Sequence, residues 1–232
     1  MEEIGLSKND RGRGLNLPLE ITEDLAEETG IHVGDGSMNF YNRHGLYSLE
    51  GDLILDRDYF IKHIGPLFKK IYNLQVRLRE RKCAGVFGFQ IGSKGLINFK
   101  HKILGLPLGP KINIEIPNAI RKGNENILSA FIRGLFDTDG GVYLEKKYGK
   151  LYPRIKISNN SKVLMDQIKE ILEERFKFNL SMRLDRKTYV LEIRGKENFI
   201  KWMNLIGSHN PKHLSKYSKW LSSIGGETLN LS

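Results

Sequence analysis

Apolar residues follow two different periods along this chain. In RDYFIKHIGPLFKKI (57–71) and SKVLMDQIKEILEERF (161–176) they recur at helical spacing, which predicts two amphipathic helices. In SMNFYNRHGLYSLEG (37–51) and GVYLEKKYGKLYPRIKIS (141–158) they alternate, which predicts two strand pairs, each bent at a hairpin that contains glycine. A strand pair followed by a helix therefore occurs twice.

The two halves also resemble each other in sequence. ETGIHVGDGSMNFY (28–41) matches IRGLFDTDGGVYLE (132–145), with Asp139 lying 104 residues after Asp35. The match continues in the same order, from 71–78 with 177–184 to 89–111 with 191–212. Similarity at a nearly fixed offset indicates a duplicated unit. We predict an α+β fold of two pseudo-symmetric αββαββα units.

Turn-forming residues indicate where the units begin and end. The stretch 114–126 contains Pro117 and Gly123, which favour a linker. The predicted division is an N-terminal arm at 1–18, a first unit at 19–113, a linker at 114–126, a second unit at 127–221 and a C-terminal tail at 222–232. The arm is interpreted either as a flexible basic segment or as a disordered leader.

The chain is basic, with a formal net charge of +10, and the excess lies mainly in its second half. A basic surface favours polyanions such as nucleic acid, although it can also serve only to keep a protein soluble. Cys83 is the single cysteine, which excludes an internal disulfide and a cysteine-based zinc site. The sequence has no apolar run near the length of a membrane span and no signal-peptide pattern, so we expect a cytoplasmic protein.

Two carboxylates, Asp137 and Asp139, end the apolar helix predicted in ILSAFIRGLFDTDGG (127–141). Negative charge is unfavourable at the C-terminal end of a helix, so an acid there suits the binding of a cation. Small residues one helical turn apart would let two such helices approach closely, and they are Gly30, Gly34, Gly134 and Thr138. Asp35 and Asp139 would then meet, and a hard divalent cation such as Mg²⁺ would relieve their repulsion.

The paired motifs resemble those of the LAGLIDADG homing endonucleases, of the single-chain, archaeal-type kind with two motifs. IRGLFDTDG matches the family motif well, and ETGIHVGDG matches it more loosely. The resemblance spans residues 19–221 and implies a monomer whose motif helices form the central interface. It implies two saddle-shaped sheets that bind double-stranded DNA in the major groove. It also implies Mg²⁺ or Mn²⁺ at Asp35 and Asp139, beside Gly34 and Thr138, and a double-strand break with short 3′ overhangs at a long target site.

Further catalytic residues follow from the same resemblance. Lys111 and Lys212, in GPK and NPK, are predicted near the scissile phosphates, although a single lysine often only aids solubility. Asn159, at the end of a predicted strand, would position water, with Asp52 as a weaker counterpart in the first unit. Asp137 is interpreted as a helix-end or water-shell group rather than as a main metal ligand.

The alternating strands predict one polar face on each sheet that binds DNA. Arginine, lysine and asparagine side chains suit base edges and phosphates, and alternate residues of a strand share a face. The predicted DNA-binding residues are Asn39, Tyr41, Arg43, Arg77, Arg79, Arg81, Tyr143, Lys147, Arg154, Lys156, Arg183 and Arg194, with Glu145 beside them. Without the paired motifs, an ordinary solvated sheet would explain the same pattern.

The histidines give weaker signals. His209 and His213 are four residues apart, but Pro211 lies between them. We therefore expect them at the surface or near a phosphate rather than as a helical metal pair. His32, inside the first motif, is expected to pack or to hydrogen-bond locally.

Other functions fit the same fold. An intron-encoded maturase would bind intron RNA, and a DNA-binding regulator would bind without cutting, whereas the presence of both Asp35 and Asp139 favours a nuclease. A defective first motif would leave a nickase. An intein endonuclease domain is not expected, because the chain starts at Met1 and lacks an initial Cys or Ser and a terminal His-Asn pair.

Overall fold

The computed structural model describes residues 4–42 and 44–224. Its helices are α1 (Lys8–Gly12), α2 (Glu23–Asp35), α3 (Arg57–Tyr59), α4 (Gly65–Tyr72), α5 (Lys94–Asn98), α6 (Asn118–Arg121), α7 (Glu125–Asp139), α8 (Lys162–Glu174), α9 (Lys196–Leu205) and α10 (Pro211–Ile224). Its strands are β1 (Gly36–Tyr41), β2 (His44–Asp52), β3 (Arg79–Arg81), β4 (Val86–Gly92), β5 (Gly140–Lys147), β6 (Lys150–Asn159), β7 (Ser181–Asp185) and β8 (Thr188–Arg194). A π-helical turn at Phe60–Ile64 joins α3 to α4, and another at Phe99–Ile103 follows α5. Arg43 and the part of the predicted tail at 225–232 lie outside the described residues.

Each unit contains one four-stranded antiparallel sheet, in the order β1-β2-β4-β3 in the first and β5-β6-β8-β7 in the second. Their registers are equivalent, because Gly36 pairs with Leu49 and Gly140 pairs with Ile157. Burial alternates along β2 and β6, so that one face of each sheet packs into the core and the other carries the polar residues. The predicted α+β fold of two repeated units is confirmed.

The two motif helices begin at side-chain caps and end at glycine. Thr22 Oγ1 accepts a hydrogen bond from Leu25 N (3.2 Å) at the start of α2, and the Asn124 side chain caps α7 in the same way. Gly36 and Gly140 follow the two helices in extended backbone conformations. A Cβ on either glycine would collide with the last helical turn before it, so no larger residue fits at these positions.

α2 and α7 contact each other backbone to backbone. A Cβ on Gly30 would collide with the carbonyl oxygen of Phe131 and lie 2.9 Å from Leu135 N. A Cβ on Gly134 would collide with the carbonyl oxygen of Glu27 in the symmetric position. The predicted close approach of small residues is therefore present, and it forms the centre of the contact between the two units.

A buried ion pair lies on the first-unit side of this contact. Glu28 of α2 is fully buried. Its carboxylate accepts hydrogen bonds from Lys100 Nζ at 2.6 and 2.8 Å and from Tyr72 OH at 2.7 Å. Burial lowers the pKa of Lys100, but the charge of Glu28 opposes that effect. The pair ties α2 to the helical turn at Phe99–Ile103.

The segment before α2 is docked on the first unit. Asp10 of α1 is buried, and its carboxylate accepts hydrogen bonds from Ser93 Oγ (2.6 Å) and Gly95 N (3.0 Å). Asn16 N also donates to the carbonyl oxygen of Tyr72 (3.0 Å). The expectation of a flexible or disordered leader is therefore wrong for this part of the N-terminal segment.

Among the helices described, none has both the length and the apolar character needed to cross a membrane.

We predict that Gly134→Ala will destabilise the protein by about 2–3 kcal/mol, because the added methyl group must push the two helix backbones apart. Ala by itself favours a helix by about 1 kcal/mol over Gly. The matched control is Gly12→Ala, since a Cβ at Gly12 in α1 would meet nothing within 4 Å. Urea unfolding of both variants measures the difference, and equal stability of the two would contradict a backbone contact.

Candidate active site

Asp35 and Asp139 lie side by side where α2 and α7 end. A Cβ on Gly34, the neighbour of Asp35, would be only 3.4 Å from the carboxylate carbon of Asp139. Burial, and then the negative charges of Asp139 and Asp56, raise the pKa of Asp35 to about 7. Burial also raises the pKa of Asp139. The helix contact thus holds two carboxylates together under conditions that disfavour their joint ionisation.

Lys111 covers the C-terminal end of α2. Its Nζ donates hydrogen bonds to the carbonyl oxygens of His32 (3.1 Å), Val33 (2.8 Å) and Gly34 (2.6 Å). The ammonium group therefore offsets the negative end of the helix dipole. Burial lowers the pKa of Lys111, while the charges of Asp139 and Asp35 oppose that shift. Lys111 lines one cavity together with Asp139, and its predicted role near a scissile phosphate stays a prediction.

Lys212 reaches the same site by a different route. Its Nζ donates to Asp56 Oδ1 (2.8 Å), and Asn210 Nδ2 donates to the same oxygen (2.9 Å). Asp52 N donates to the second oxygen, Asp56 Oδ2 (3.0 Å). A second-unit lysine is thus held by a first-unit carboxylate, and its charge acts on Asp35 and Asp139. Sequence reasoning did not identify Asp56, which lies in the loop after β2.

The two halves of the site differ in their polar support. Asn159 Nδ2 donates to Asp139 Oδ2 (2.9 Å), so this amide holds the second acid directly. By the strand registers, the equivalent residue in the first unit is Gly51, and Asp56 Oδ2 lies 3.0 Å from where a Cβ on Gly51 would be. Asp52 instead accepts hydrogen bonds from the backbone of its own loop. Asp56 therefore lies beside the position in the first unit that Asn159 occupies in the second.

Asp137 is fully buried and supports the loop that precedes Lys212. It accepts hydrogen bonds from the Ser208 hydroxyl and from His209 N (2.7 Å). His213 Nδ1 lies 3.3 Å from Asp137 Oδ1, and the side chain of His213 is only 1% exposed. The expectation of a surface His213 is therefore wrong.

His32 is buried and stacks on Tyr47, with ring centroids 5.4 Å apart, which agrees with a packing role.

Two open cavities meet at Asp139. One has a volume of about 350 Å³ and is lined by Gly34, Lys111, Asp139 and Asn159, among others. The other, of about 220 Å³, extends from Asp139 to Lys156 and Arg183 on the polar face of the second sheet. Polar groups that line a cavity and converge on one acid are typical of a functional site.

The polar face of the first sheet carries most of the residues predicted to bind DNA in that unit. Asn39 pairs with Leu46 and Tyr41 pairs with His44 between β1 and β2. Since Asn39 and Tyr41 are two residues apart on β1, their side chains lie on the same face. Arg79 and Arg81 lie on β3 at the sheet edge and are exposed, and Arg81 pairs with Glu50 on the same face. Arg77, which lies just before β3, is also exposed.

The polar face of the second sheet is organised around one carboxylate. Glu192 is 2% exposed, and it pairs with Arg183 (2.9 Å), Arg194 (2.5 Å), Arg154 (3.3 Å) and Lys156 (3.7 Å). Burial raises the pKa of Glu192, but hydrogen bonds from Arg183 and Arg194 outweigh it and lower the pKa to about 2. Lys156 also lies over the exposed ring of Tyr143, at 4.9 Å from its centroid. Sequence reasoning missed Glu192, although it alternates in phase with Arg194.

The other predicted residues of this face lie near the β5-β6 hairpin. Lys147 Nζ is 3.2 Å from Glu145 Oε1, and Arg154 Nη2 is 3.4 Å from Glu145 Oε2. The register pairs Tyr143 with Arg154 and Lys147 with Lys150. The basic residues are therefore oriented by acids on the same face.

Comparisons with known proteins agree with this architecture. Residues 126–207 match the family model of a LAGLIDADG-like domain. An uncharacterized protein of Methanocaldococcus jannaschii is 26% identical over 161 residues, which cover 68% of this chain and 56% of that protein. A glutamine–fructose-6-phosphate aminotransferase of the same organism is 23% identical over 219 residues, covering 91% of this chain but 19% of the enzyme. The chain thus spans about half of the first relative and a fifth of the second.

The structure of the homing endonuclease I-DmoI in complex with DNA and Ca has the same fold. It superposes with a TM-score of 0.61 at 19% identity, covering 86% of this chain and 99% of that one. The predicted resemblance to the LAGLIDADG family is confirmed, by sequence for the second unit and by fold for both units together.

The donor atoms at the motif ends fit a hard divalent cation. Asp35 and Asp139 provide two carboxylates, and Asp56 adds a third nearby. The ammonium groups of Lys111 and Lys212 oppose this negative charge. Such an oxygen-rich, negative site suits Mg²⁺ or Mn²⁺ better than a softer ion. The charges of Asp139 and Asp56 add to the larger effect of burial in raising the pKa of Asp35.

We predict that Asp35→Asn will stabilise the protein above pH 7 in the absence of divalent cations. The pKa of Asp35 is 3.8 in an ordinary environment and about 7 in the fold. The folded state therefore binds more protons between these values, and its stability falls as the pH rises through this window. The gain should be at most about 4 kcal/mol, because one pKa unit corresponds to about 1.4 kcal/mol.

Urea unfolding from pH 4 to 8.5 measures this effect. The stabilities of wild type and Asp35→Asn should converge near pH 4 and diverge most above pH 7. Asp52→Asn is the control, because the hydrogen bonds from Leu55 N and Ile54 N lower the pKa of Asp52 and its removal should not stabilise the protein. A pH-independent difference for Asp35→Asn would contradict the prediction.

Proposed function

We propose that this protein is a site-specific, divalent-metal-dependent DNA endonuclease that cuts both strands of a long target site and leaves short 3′ overhangs. The observation that carries the proposal is the pair of acids at the ends of the touching motif helices, next to the basic polar faces of the sheets. The I-DmoI structures contain DNA together with Mn or Ca, which supports both partners of the proposed reaction.

Asp35 and Asp139 would hold the divalent cations, Mg²⁺ or Mn²⁺, with the peptide groups of Gly34 and Thr138 beside them. When bound, the ions would polarise the phosphodiester and lower the pKa of a water molecule. Lys111 and Lys212 would stabilise the negative charge that develops on the phosphate. Asn159 would keep the Asp139 carboxylate oriented through its 2.9 Å hydrogen bond.

The difference between Asp56 and Asn159 implies that the two strands are cut at unequal rates. Asp56 binds Lys212 and adds negative charge next to Asp35, whereas Asn159 is neutral and binds Asp139 directly. The half-site of Asp35 therefore attracts a cation more strongly but leaves Lys212 less available to a phosphate. A nicked duplex would then accumulate before the double-strand break.

The polar faces of the two sheets would bind the DNA. On the second sheet, Glu192 orients four cationic side chains, and Tyr143 adds an exposed aromatic ring to the same face. Such preorganised arginines suit guanine edges and phosphates. We propose that all the described residues that the sequence predicted to bind DNA do so. We also propose that the protein is an intracellular monomer with pseudo-two-fold symmetry, and that its units have the boundaries predicted from the sequence.

A maturase or a DNA-binding regulator is the alternative on the same fold. Neither function requires two facing carboxylates, so each predicts that Asp→Asn changes leave the activity intact.

The first test is to select a target and then to cut it. A randomised DNA duplex library is enriched on the double variant Asp35→Asn/Asp139→Asn, which should bind without cutting. An enriched site is then placed in a supercoiled plasmid and incubated with wild-type protein and Mg²⁺. We expect linear plasmid with paired ends at that site, preceded by a nicked circle, since linear and nicked forms separate on a gel.

The single variants distinguish the alternatives. Asp35→Asn and Asp139→Asn should each lower cleavage by at least about 100-fold, whereas Asp52→Asn, which removes a nearby exposed carboxylate, should retain it. Tight binding without any cleavage by wild type would favour the regulator. Selective binding of intron RNA that survives both changes would favour the maturase.

We predict opposite effects of two substitutions on DNA binding by the second sheet. Arg183→Ala should weaken binding and reduce the slope of log affinity against log salt by about one. Glu192→Gln should strengthen binding to non-specific DNA and steepen that slope, because it frees cations that Glu192 now neutralises. Fluorescence anisotropy at several salt concentrations measures both effects.

Lys162→Ala is the control for this measurement. Lys162 begins α8, which packs on the core side of the second sheet, and it pairs with Asp166 in its own helix. Identical behaviour of Arg183→Ala and Lys162→Ala would exclude the polar face of the second sheet from the DNA interface.

A further inference from the structure

A second cluster of possible metal ligands lies near the N-terminal end of α2, away from the motif acids. It consists of Glu27 on α2, His63 in the π-helical turn between α3 and α4, and His209 in the loop before α10. The three potential ligand atoms lie within 4.8 Å of one another. Glu27 and His63 belong to the first repeat and His209 to the second, so the cluster bridges the two units.

The two imidazoles converge on one carboxylate oxygen. His63 Nε2 is 2.6 Å and His209 Nδ1 is 2.7 Å from Glu27 Oε1. The two rings lie with their centroids 4.2 Å apart. Two histidine nitrogens and one carboxylate oxygen form the kind of three-ligand set that holds zinc while leaving a further position open.

Each ligand is held in place by other contacts. The backbone of Glu27 lies in the glycine contact between α2 and α7, and its side chain is 4% exposed. His209 N donates to Asp137 Oδ2 (2.7 Å), which fixes the backbone that carries the imidazole. The His63 ring stacks on Tyr59, with centroids 5.5 Å apart. Preorganised ligands lower the entropic cost of binding an ion.

The cluster is reachable from solvent. The side chain of His63 is 22% exposed and that of His209 is 44% exposed, whereas Glu27 forms the buried floor. An incoming ion can therefore replace the hydrogen bonds between the imidazoles and Glu27 without unfolding the helices. A water molecule can complete its coordination on the open side.

Arg133 limits the affinity of such a site. Its Nη2 and Nε donate to Glu27 Oε2 at 2.7 and 3.0 Å, so one carboxylate oxygen is already engaged by a positive charge. Oε1 remains for the ion, and Arg133 supports the orientation of the carboxylate. We therefore expect weaker binding than at a closed site with four protein ligands.

We propose that Glu27, His63 and His209 bind a transition-metal ion such as Zn²⁺, which clamps the second-unit loop 207–210 to the first motif helix. Imidazole ligands select borderline ions of this kind, whereas Mg²⁺ prefers the oxygen-only donors at Asp35 and Asp139. The two sites thus differ in the class of metal as well as in position. The proposal does not depend on DNA cleavage.

Binding is tested with Co²⁺, whose visible absorption reports its coordination and which substitutes for Zn²⁺. The experiment uses the full chain carrying Asp35→Asn and Asp139→Asn, so that the motif site does not contribute. We expect one equivalent of Co²⁺ to give visible bands of low coordination number, and Zn²⁺ to displace it. Added Zn²⁺ at about 100 times its Kd should also raise the Tm by about 5–10 °C.

His63→Gln and His209→Gln are the test variants, because glutamine can still donate a hydrogen bond to Glu27. Each should abolish the bands and the Tm rise. His44→Gln is the matched control, since His44 is exposed at the start of β2 and lies outside the cluster. Far-UV circular dichroism confirms that each variant is folded, and Glu27→Gln provides a third variant if one histidine change prevents folding.

Two results would overturn the proposal. One is the absence of any Co²⁺ band at millimolar metal in the folded parent protein, which would leave the cluster as a hydrogen-bonded contact. The other is binding that persists in both histidine variants or is lost in His44→Gln, which would place the metal elsewhere.

Discussion

The backbone contact between α2 and α7 is the constraint on which the rest of this molecule depends. Gly30 and Gly134 each leave room for a carbonyl oxygen of the opposite helix, and any side chain there would separate the helices. Because the helices touch, Asp35 and Asp139 meet at their C-terminal ends. The same contact fixes Glu27 near the other end, so that it meets Arg133 across the interface. One steric requirement therefore positions two sites of different chemistry.

Charge compensation then determines what the acid pair can do. Lys111 neutralises the carbonyl end of α2, and Lys212 is shared with Asp56, yet the site still carries an excess of negative charge. Burial and, after it, the charges of Asp139 and Asp56 raise the pKa of Asp35, and a divalent cation would relieve the repulsion among these acids. The second unit has Asn159 where the first unit has Gly51 with Asp56 beside it. This difference makes the first half of the site more acidic than the second. The repeated sequence has thus produced a site that is symmetric in backbone and asymmetric in charge.

The loop 207–210 of the second unit contacts both the acid pair's surroundings and the histidine cluster. Asp137 holds this loop through Ser208 and His209, while Asn210 and Lys212 extend to Asp56. His209 points in the other direction, toward Glu27. A substitution that destabilises this loop would therefore disturb both the acid pair and the histidine cluster. The two sites are physically connected through one segment, although they would bind different classes of metal.

The sequence by itself determined the duplication, the order of the elements, the small residues of the helix contact and the two acids, because repeats, periodicity and motif spacing are local properties of the chain. Strand alternation likewise placed Arg154, Lys156 and Arg194 on one face. The roles of these residues remain predictions. Only the tertiary structure decided that Asp56 joins Lys212, that Glu192 organises the basic face, and that Glu27 meets His63 and His209. These partners come from different elements, and a buried polar group is satisfied by whichever group the packing brings within hydrogen-bond distance, which no local pattern specifies.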